Sequence, residues 1–487
     1  MADQAILAID EGTTNSKAVL VSQAGQIISS GSAPVPIEHP QAGWVQQDAE
    51  QIWIATQKAI AACLAKAPDT QITALGISNQ RESILIWDRV TGAPLGPVIS
   101  WQCRRTAAQC EALKAAGHEA DVIAKTGLPL DPMFPATKAA WLVQNHAAPQ
   151  TDVCIGTVDS WLIWKLSGHQ VHATDSSNAA RTQLFNLVDQ KWDDALCDLF
   201  GVDMSILPKV HDSSHIFGVT KGVQGLPDGI PIASAIGDSH AALFGHGAFD
   251  SGDGKITFGT GSSVMTTLPR FVAPPKGITT TIAWSIGGRP TYALEGNILV
   301  SASILPWAAK LLGLENIEAL LELAQSVPDA GGVSLVPAHV GLGAPHWDAE
   351  AQGLICGLSF GAGPAQVARA AAESMAFQVQ DVFEIMAQTS QDFGRLFVDG
   401  GPSNNGFLMQ LVANYLDHSV IQSENSSASA IGAAYLAGLA TGFWADIPTV
   451  ANLGRHGTQI AANLPALQRS DDIARWRKAI ARTVQSV

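Results

Sequence analysis

The stretch IASAIGDSHAALFGHGAF, residues 232–249, decides how the rest of the chain is interpreted. Its apolar run at 232–236 predicts a buried strand, Gly237 interrupts that strand, and residues 239–244 predict the beginning of a helix. Asp238 therefore lies where a buried strand ends and a helix begins, which suits a carboxylate that accepts a proton from a substrate hydroxyl. Taken alone, the stretch also allows Asp238 to be only the N-cap of the helix, because aspartate is a favoured capping residue.

The length and composition of the chain narrow the class of protein. With 487 residues, 47% of them hydrophobic, the chain is too long for one ordinary core, and two domains are expected. The formal net charge of −15 argues against nucleic acid as a partner, although backbone amides can still hold an anionic substrate. No apolar run is long enough for stable membrane insertion, and acidic residues follow the N-terminus too closely for a signal peptide. None of the six cysteines forms a C-x-x-C pair, so we expect a reduced protein in the cytoplasm, without zinc or disulfides.

The N-terminus predicts a β-meander whose first turn combines an acid, a glycine and hydroxyl groups. Short apolar runs flank the turn DEGTTNS, residues 10–16, and predict two antiparallel strands. Gly12 lets a phosphate approach the backbone, the amides and hydroxyls of the turn can bind its oxygens, and Asp10 can hold Mg²⁺ through water. An ordinary polar hairpin turn is the alternative explanation of this pattern.

A second turn of the same kind opens the second half of the chain. Residues 247–254 are rich in glycine and aspartate, and KITFGTGSS at 255–263 repeats the order of strand, Gly-Thr and hydroxyls. This weak internal repeat predicts two similar domains that face each other across a cleft.

Three further segments combine polar residues with a predicted strand end or a pocket wall. Arg81 and Glu82 follow a strand and can hold hydroxyls from two sides, with a solvated surface pair as the alternative. Trp101 can form an apolar pocket wall. The turn GGPSNN, residues 400–405, can admit a planar base or a phosphate, with a plain strand–helix loop as the alternative.

Some motifs point away from other enzyme classes. GLSFG at 357–361 matches the G-x-S-x-G nucleophile elbow of hydrolases, but the elbow requires a helix that begins at the serine. Gly361, Gly363 and Pro364 delay that helix, so a hydrolase that uses Ser359 is disfavoured. The chain contains neither a P-loop nor a Rossmann fingerprint, and His240 and His246 lack metal-ligand spacing with other candidates.

Taken together, these segments resemble the FGGY carbohydrate kinases, and within them the glycerol kinases, over nearly the whole chain. The resemblance is carried by IDEGTTNSKAVL, GWVQQD, ISNQRESILIW, SWQCRRT, GTVDSWLIWKLSG, SNAARTQLFN, GDSHAALFGH, FGTGSS, YALEG, VGLGAPHWD and IGAAYLAGL. It implies an α/β fold of two ribonuclease-H-like domains, of the actin, hexokinase and Hsp70 type, that face each other across a cleft. It also implies that residues 1–246 bind mainly the polyol or sugar and residues 247–487 mainly ATP.

The resemblance also implies roles for individual residues. Asp238 is implied as the catalytic base, and Asp10 as the second catalytic acid and the one near Mg²⁺. The residues implied in nucleotide and phosphate binding are Gly12, Thr13, Thr14, Gly259, Thr260, Gly261, Gly401 and Asn405. The residues implied in substrate binding are Arg81, Glu82, Trp101, Met133, Ser239 and Ser263.

Three of these positions depart from the glycerol kinase pattern, which usually has tyrosine, glutamine and phenylalanine where Met133, Ser239 and Ser263 stand. The departures predict a larger pocket and a substrate that is glycerol or a somewhat longer polyol or ketose. A small molecule is the expected partner, and a homodimer and a homotetramer both stay open. The alternative function is a catalytically silent sensor of the same fold, which the retained Asp238 argues against.

Overall fold

The computed structural model describes residues 4–148, 152–389, 393–424, 427–454 and 457–484. In chain order, its strands are β1 Gln4–Glu11, β2 Asn15–Ser22, β3 Ile27–Pro34, β4 Gln46–Gln47, β5 Gln71–Asn79, β6 Ile84–Asp88, β7 Val98–Ile99, β8 Val153–Thr157, β9 Ala173–Asp175, β10 Phe185–Asn186, β11 Lys191–Trp192, β12 Lys209–His211, β13 Ser214–Val219, β14 Pro231–Gly237, β15 Gly254–Phe258, β16 Ser262–Leu268, β17 Thr279–Ile286, β18 Arg289–Ile298, β19 Ser334–Val336, β20 Leu354–Cys356, β21 Leu396–Asp399, β22 Val420–Ser423 and β23 Gly457–Ile460.

The α-helices are α1 Ala49–Leu64, α2 Ala107–Ala115, α3 Glu119–Thr126, α4 Pro135–His146, α5 Val158–Leu166, α6 Ser176–Ala179, α7 Asp194–Phe200, α8 Asp238–Gly245, α9 Ile304–Leu311, α10 Ile317–Gln325, α11 Pro364–Thr389, α12 Gly406–Leu416, α13 Ala428–Thr441, α14 Ile447–Gly454 and α15 Ala466–Val484. Short 3₁₀ helices lie at Met204–Ile206 and Gly401–Asn404. Among the described helices, none combines the length and the apolarity that crossing a bilayer requires.

Two large sheets repeat one strand pattern. In the first, whose order is β13-β14-β5-β1-β2-β3, strands β1 to β3 form an antiparallel meander, and β5 and β14 continue parallel to β1. In the second, β15, β16 and β18 are the antiparallel strands, and β21 and β22 continue parallel to β15. The repeat predicted from the two Gly-Thr turns is therefore present as two similar sheets, and the predicted α/β class is confirmed.

The central strand β1 is apolar at every position from Ala5 to Ile9 because helices cover both of its faces. Leu7 and Ile9 pack in the cluster that contains the buried face of α1. Ile6, on the opposite face, packs in the cluster that contains α8 and α13. This alternation follows from the period of two residues along a strand.

Helix α13 comes from the second half of the chain but packs on the first sheet. The cluster around it combines residues of both sheets, among them Ile6 and Phe397, so one apolar core lies between the two domains. Helix α13 crosses α8 so closely that a Cβ added at Gly432 would overlap the carbonyl oxygen of Ala241. The many alanine and glycine residues of α13 permit this close packing.

We expect Gly432→Ala to destabilise the protein strongly, because its methyl group meets backbone that cannot rotate away. Overpacking of a tight core typically costs about 1–3 kcal/mol, and a backbone contact belongs at the upper end of that range. The measurement is thermal unfolding. Gly406→Ala is the matched control, because an added Cβ there has no atom within 4 Å and alanine favours the helix. Equal melting temperatures for the two variants would contradict this prediction.

The fold excludes a hydrolase that uses Ser359 as its nucleophile. Helix α11 begins at Pro364, five residues after Ser359, and Ser359 lies in an exposed loop. The serine therefore does not occupy the strand-to-helix turn that a nucleophile elbow requires.

Candidate active site

Three parallel strands bring the predicted acidic and basic residues to one edge of the first sheet. In the register of β5, Ser78 pairs with Asp10 of β1 on one side and with Ile236 of β14 on the other. The carboxyl ends of these strands therefore lie together, which is where ligands bind in open α/β sheets. This arrangement places Asp10, Arg81 and Asp238 at the same edge of the sheet.

Asp238 is the first residue of α8, and Gly237 occupies the N-cap position, so the interpretation of Asp238 as a simple N-cap is wrong. Its carboxylate forms an ion pair with Arg81, with Nε 3.3 Å from Oδ1. Gly237 permits this approach, because a Cβ there would lie 2.6 Å from Cγ of Arg81. The Asp238 side chain remains 39% exposed, so a substrate hydroxyl can reach it. Desolvation by the surrounding protein raises the pKa of Asp238, and the positive charge of Arg81 opposes that rise.

The second predicted acid, Asp10, lies close enough to Asp238 for the two carboxylates to repel each other. Burial raises the pKa of Asp10 to about 6, and the charge of Asp238 adds to the rise. A hydrogen bond from Ser78 Oγ to Oδ1, 2.9 Å long, and the charge of Lys17 act in the opposite direction. A divalent cation between nucleotide and protein relieves such repulsion, so this carboxylate fits Mg²⁺.

Mg²⁺ beside Asp10 would need further ligands from water and substrate. Within the described part of the chain, no group of three or more histidine, cysteine, aspartate or glutamate side chains forms a metal cluster. Mg²⁺ commonly uses one or two carboxylates together with water and substrate phosphates. A single acidic ligand, Asp10, agrees with this coordination preference of Mg²⁺.

Arg81 and Glu82 belong to a buried charge cluster, so the alternative of a solvated surface pair is wrong. Arg81 Nη2 lies 2.8 Å from Glu295 Oε1, and Arg181 Nε donates to Glu82 Oε1 at 2.6 Å. Arg181 also reaches Glu295 Oε2 at 3.0 Å. Glu82 has a positive φ of 61°, which is rare for a residue with a side chain and is held by the surrounding structure.

The two serines that replace larger residues of the glycerol kinase pattern lie next to each other. The hydroxyl oxygens of Ser239 and Ser263 are 3.4 Å apart, and Ser263 donates to Glu295 Oε1 at 3.3 Å. Ser239 also contacts Sδ of Met265. The structure thus brings Ser239 and Ser263 together with the charge cluster that contains Arg81.

Trp101 and Met133 lie in two segments that one lysine joins. The buried ammonium of Lys138 donates to the carbonyl oxygens of Ser100 at 2.9 Å and Met133 at 2.7 Å. Trp101 is 36% exposed, and its indole donates to the Thr13 hydroxyl at 3.0 Å. The predicted pocket wall therefore contacts the predicted phosphate turn directly.

The first predicted phosphate turn connects β1 and β2. Gly12 N–H donates to the carbonyl oxygen of Asn15 at 3.0 Å, which closes the turn. Gln47 donates to the carbonyl oxygen of Thr13 at 2.8 Å. The Thr14 side chain lies on the exposed side of the turn, so its hydroxyl is accessible to a ligand.

The second predicted phosphate turn connects β15 and β16. Gly259 N–H donates to the carbonyl oxygen of Gly261 at 2.8 Å, and Thr260 at the tip is exposed. Gly261 lies against the backbone of Ile298, where a side chain would overlap the carbonyl oxygen. Both turns thus present a threonine beside glycine at the end of a buried strand, as the sequence pattern predicted.

Gly401 is the first residue of the 3₁₀ helix that follows β21, and Asn405 comes directly after its last residue. An added Cβ at Gly401 would meet no atom within 4 Å, so there is open space beside this turn. Gly400 packs against the carbonyl of Phe258, which brings the turn next to the second phosphate turn. Asn405 caps α12 by accepting a hydrogen bond from the N–H of Leu408 at 3.1 Å. Its role in nucleotide binding stays a prediction.

Three charged residues of this region were not predicted from the sequence. Glu295 and Arg181 complete the charge cluster, and Lys17 reaches from β2 to the hydroxyl of Ser427 in the second half of the chain. Arg181 and Glu295 lie in SNAARTQLFN and YALEG, two segments that carry the family resemblance, but no local feature of either segment marks these two side chains as part of a site.

Comparisons with known proteins agree with this geometry. The chain matches the N-terminal domain of the FGGY family of carbohydrate kinases over residues 5–245 and its C-terminal domain over residues 254–441. It is 44% identical to an apulose kinase of Pectobacterium atrosepticum, and the match covers 98% of both chains. It is 43% identical to a glycerol kinase of Burkholderia multivorans, over 99% of this chain and 98% of the relative.

Solved structures give the same result. The Plasmodium falciparum glycerol kinase with ADP superposes with a TM-score of 0.94 at 29% identity, over 100% of this chain and 99% of that one. A ligand-bound xylulose kinase from Lactobacillus acidophilus shares the fold at 24% identity, with a TM-score of 0.88 over 99% and 97% of the two chains. The chain thus belongs to the FGGY family of carbohydrate kinases, enzymes that transfer a phosphoryl group to an alcohol.

Proposed function

We propose that the chain transfers the γ-phosphoryl group of ATP, with Mg²⁺, to a hydroxyl of a polyol or ketose that is glycerol-like at one end and longer than glycerol. The observation that carries this proposal is the position of Asp238 beside Arg81, with Ser239 as its immediate neighbour. A base, a cation and a short hydroxyl side chain at one strand edge suit a substrate with several hydroxyls.

In the proposed reaction, Asp238 accepts the proton of the attacking hydroxyl and orients its oxygen. Arg81 and Glu82 hold neighbouring hydroxyls from opposite sides, the arginine as donor and the carboxylate as acceptor. Phosphoryl transfer depends mainly on this positioning and on electrostatic stabilisation, because little covalent chemistry is left to the protein.

The phosphates of ATP are proposed to lie between the two Gly-Thr turns, where N–H and hydroxyl groups of Thr13, Thr14 and Thr260 donate to their oxygens. The open space beside Gly401 suits the adenosine. Mg²⁺ near Asp10 supplies neutralisation of the charge on the transferred group. Binding of the polyol mainly by residues 1–246 and of ATP mainly by residues 247–487 stays a prediction.

The substrate is proposed to extend beyond glycerol because three pocket residues are smaller or more adaptable than the family pattern. Methionine at 133 adapts to irregular shapes, and the hydroxyls of Ser239 and Ser263 can pair with further substrate hydroxyls. The similarity to an apulose kinase as well as to glycerol kinases supports a sugar-sized acceptor.

The expected result is that a four- or five-carbon substrate exceeds glycerol in kcat/KM by about 10- to 200-fold, because it fills the pocket and replaces poorly paired water. A coupled assay of ADP release over glycerol, erythritol, erythrulose, ribitol, xylulose and apulose measures this ratio. Absence of ADP release with every acceptor would reject the proposed kinase activity itself.

The control restores the glycerol kinase pattern with Met133→Tyr, Ser239→Gln and Ser263→Phe together. We expect the triple variant to gain selectivity for glycerol. A parent enzyme that prefers glycerol, with a triple variant that is no more selective, would contradict the enlarged pocket while leaving the kinase activity intact.

The alternative of a catalytically silent sensor has no support from the relatives, which are kinases. A cytoplasmic location and a homodimer or homotetramer stay predictions from the sequence. The ADP-release assay decides against the silent alternative as soon as one acceptor is phosphorylated.

A further inference from the structure

Glu295 is a buried acid in the middle of β18, in the second domain. Its residue is 1% exposed, and its neighbours in the sheet are Met265 of β16 and Thr279 of β17. An ionised carboxylate in such a place is costly unless it is paired and hydrogen-bonded. Its partners therefore show why the position tolerates a charge.

The partners of Glu295 come from the candidate substrate site. Its Oε1 lies 2.8 Å from Arg81 Nη2 and accepts a hydrogen bond from Ser263 at 3.3 Å, while Oε2 lies 3.0 Å from Arg181 Nη1. Although burial acts in the opposite direction, the two guanidinium groups hold the pKa of Glu295 well below its usual range. Glu295 is therefore charged at neutral pH and attracts both arginines.

Glu295 holds one of the three guanidinium nitrogens of Arg81, namely Nη2. Among the described residues, neither Nε nor Nη1 of Arg81 has a hydrogen-bond partner; both nitrogens are buried, and Nε faces Asp238 at 3.3 Å. The planar guanidinium fixes the direction of all its donors as soon as one nitrogen is held. Holding Nη2 therefore decides which way Nε and Nη1 point.

We propose that Glu295 is a positioning residue that, from the second domain, holds the guanidinium group of Arg81 in place beside Asp238, at the proposed binding site of the acceptor substrate. The inference rests on the proposed function, since it assigns Arg81 to polyol binding. Arg181 acts with Glu295 by balancing its second oxygen and by holding Glu82 at 2.6 Å. Ser263 becomes part of the same arrangement through its hydrogen bond to Glu295.

The charge balance of the cluster explains what the loss of Glu295 does. The cluster has two guanidinium groups and three carboxylates, which belong to Arg81, Arg181, Glu82, Asp238 and Glu295. When glutamine replaces Glu295, the nearest remaining carboxylate for Arg81 is that of Asp238. Arg81 then loses its partner on the side of Glu295 and moves closer to Asp238, so it leaves its position at the acceptor site and occupies the proposed base.

The test is Glu295→Gln in the full chain, with steady-state kinetics for the best acceptor, for glycerol and for ATP. We expect kcat/KM for both acceptors to fall by the same factor, about 10- to 100-fold, because Arg81 binds the end that they share. The acceptor KM rises, kcat falls and the KM for ATP is unchanged. An unchanged acceptor KM, with only kcat reduced, would overturn the inference, since a smaller folded fraction gives that pattern.

Glu373→Gln is the matched control, because Glu373 is also 1% exposed and pairs with an arginine, Arg369, at 2.7 Å. We expect it to lower the melting temperature without changing the acceptor KM. If Glu295→Gln does not fold, Glu295→Asp keeps the charge but withdraws it from Arg81, and a raised acceptor KM is again expected. Failure of the proposed function is distinguishable, because the unmodified enzyme then phosphorylates no acceptor at all.

Discussion

Asp238→Asn is expected to lower kcat by about 10³-fold or more while ADP binding stays nearly unchanged. The amide keeps the shape of the side chain but cannot accept the proton, and positioned general bases contribute about 10²–10⁴-fold. Loss of the charge also removes the ion pair that orients Arg81 on this side. The measurements are ADP release under saturating substrates and calorimetric titration with ADP.

The control for this variant is Asp69→Asn, an isosteric change at an exposed position outside the site. We expect its kinetics to equal those of the unmodified enzyme. If Asp238→Asn kept most of its kcat, Asp238 would not be the base, and another acceptor of the proton would have to be sought near Arg81.

Asp10→Ala is expected to lower kcat by about 10³-fold at ordinary Mg²⁺ concentrations and to raise the Mg²⁺ concentration needed for half-maximal activity. The physical reason is that charge on the transferred group is then poorly neutralised, and one electrostatic stabiliser is typically worth 10²–10³-fold. Removal of Asp10 also removes the repulsion between two neighbouring carboxylates, so the pKa of Asp238 is expected to fall. The measurement is a titration of activity with Mg²⁺.

Ser78→Ala is the graded control, because it removes only the 2.9 Å hydrogen bond to Asp10 and leaves the carboxylate in place. Its effect on the Mg²⁺ requirement is expected to be much smaller. An unchanged Mg²⁺ dependence in Asp10→Ala would reduce Asp10 to an acid of an ordinary hairpin turn.

Local patterns were sufficient for the parts of the site that lie in one short segment. The Gly-Thr turns at Gly12 and Gly259, and the strand-to-helix junction at Asp238, were predicted where the structure has them. Hydrophobic runs and turn residues determine such features over about ten residues, without information from the rest of the chain. The repeat of two turns was then enough to predict two similar domains.

The charge cluster was not predictable in the same way, because its members are far apart in sequence. Arg81 and Glu82 are 99 or more residues from Arg181, and Glu295, the acid that pairs with both arginines, lies in another domain. In YALEG, Glu295 has the position of an ordinary polar residue in an alternating strand. Only the packing of the two sheets around one core makes it buried, and burial is what gives its charge a role.

The hydrogen bond from the Trp101 indole to the Thr13 hydroxyl has a thermodynamic consequence for the two substrates. The donor belongs to the predicted wall of the acceptor pocket, and its partner lies in the predicted phosphate turn. The Thr13 oxygen accepts from the indole, while its O–H stays available to donate to a phosphate, so an acceptor that moves Trp101 is expected to change the direction of that O–H. Because binding free energies are linked reciprocally, any factor by which one substrate alters the affinity of the other acts equally in both directions. We therefore expect the binding of acceptor and the binding of nucleotide to be coupled through this contact, which is 3.0 Å long.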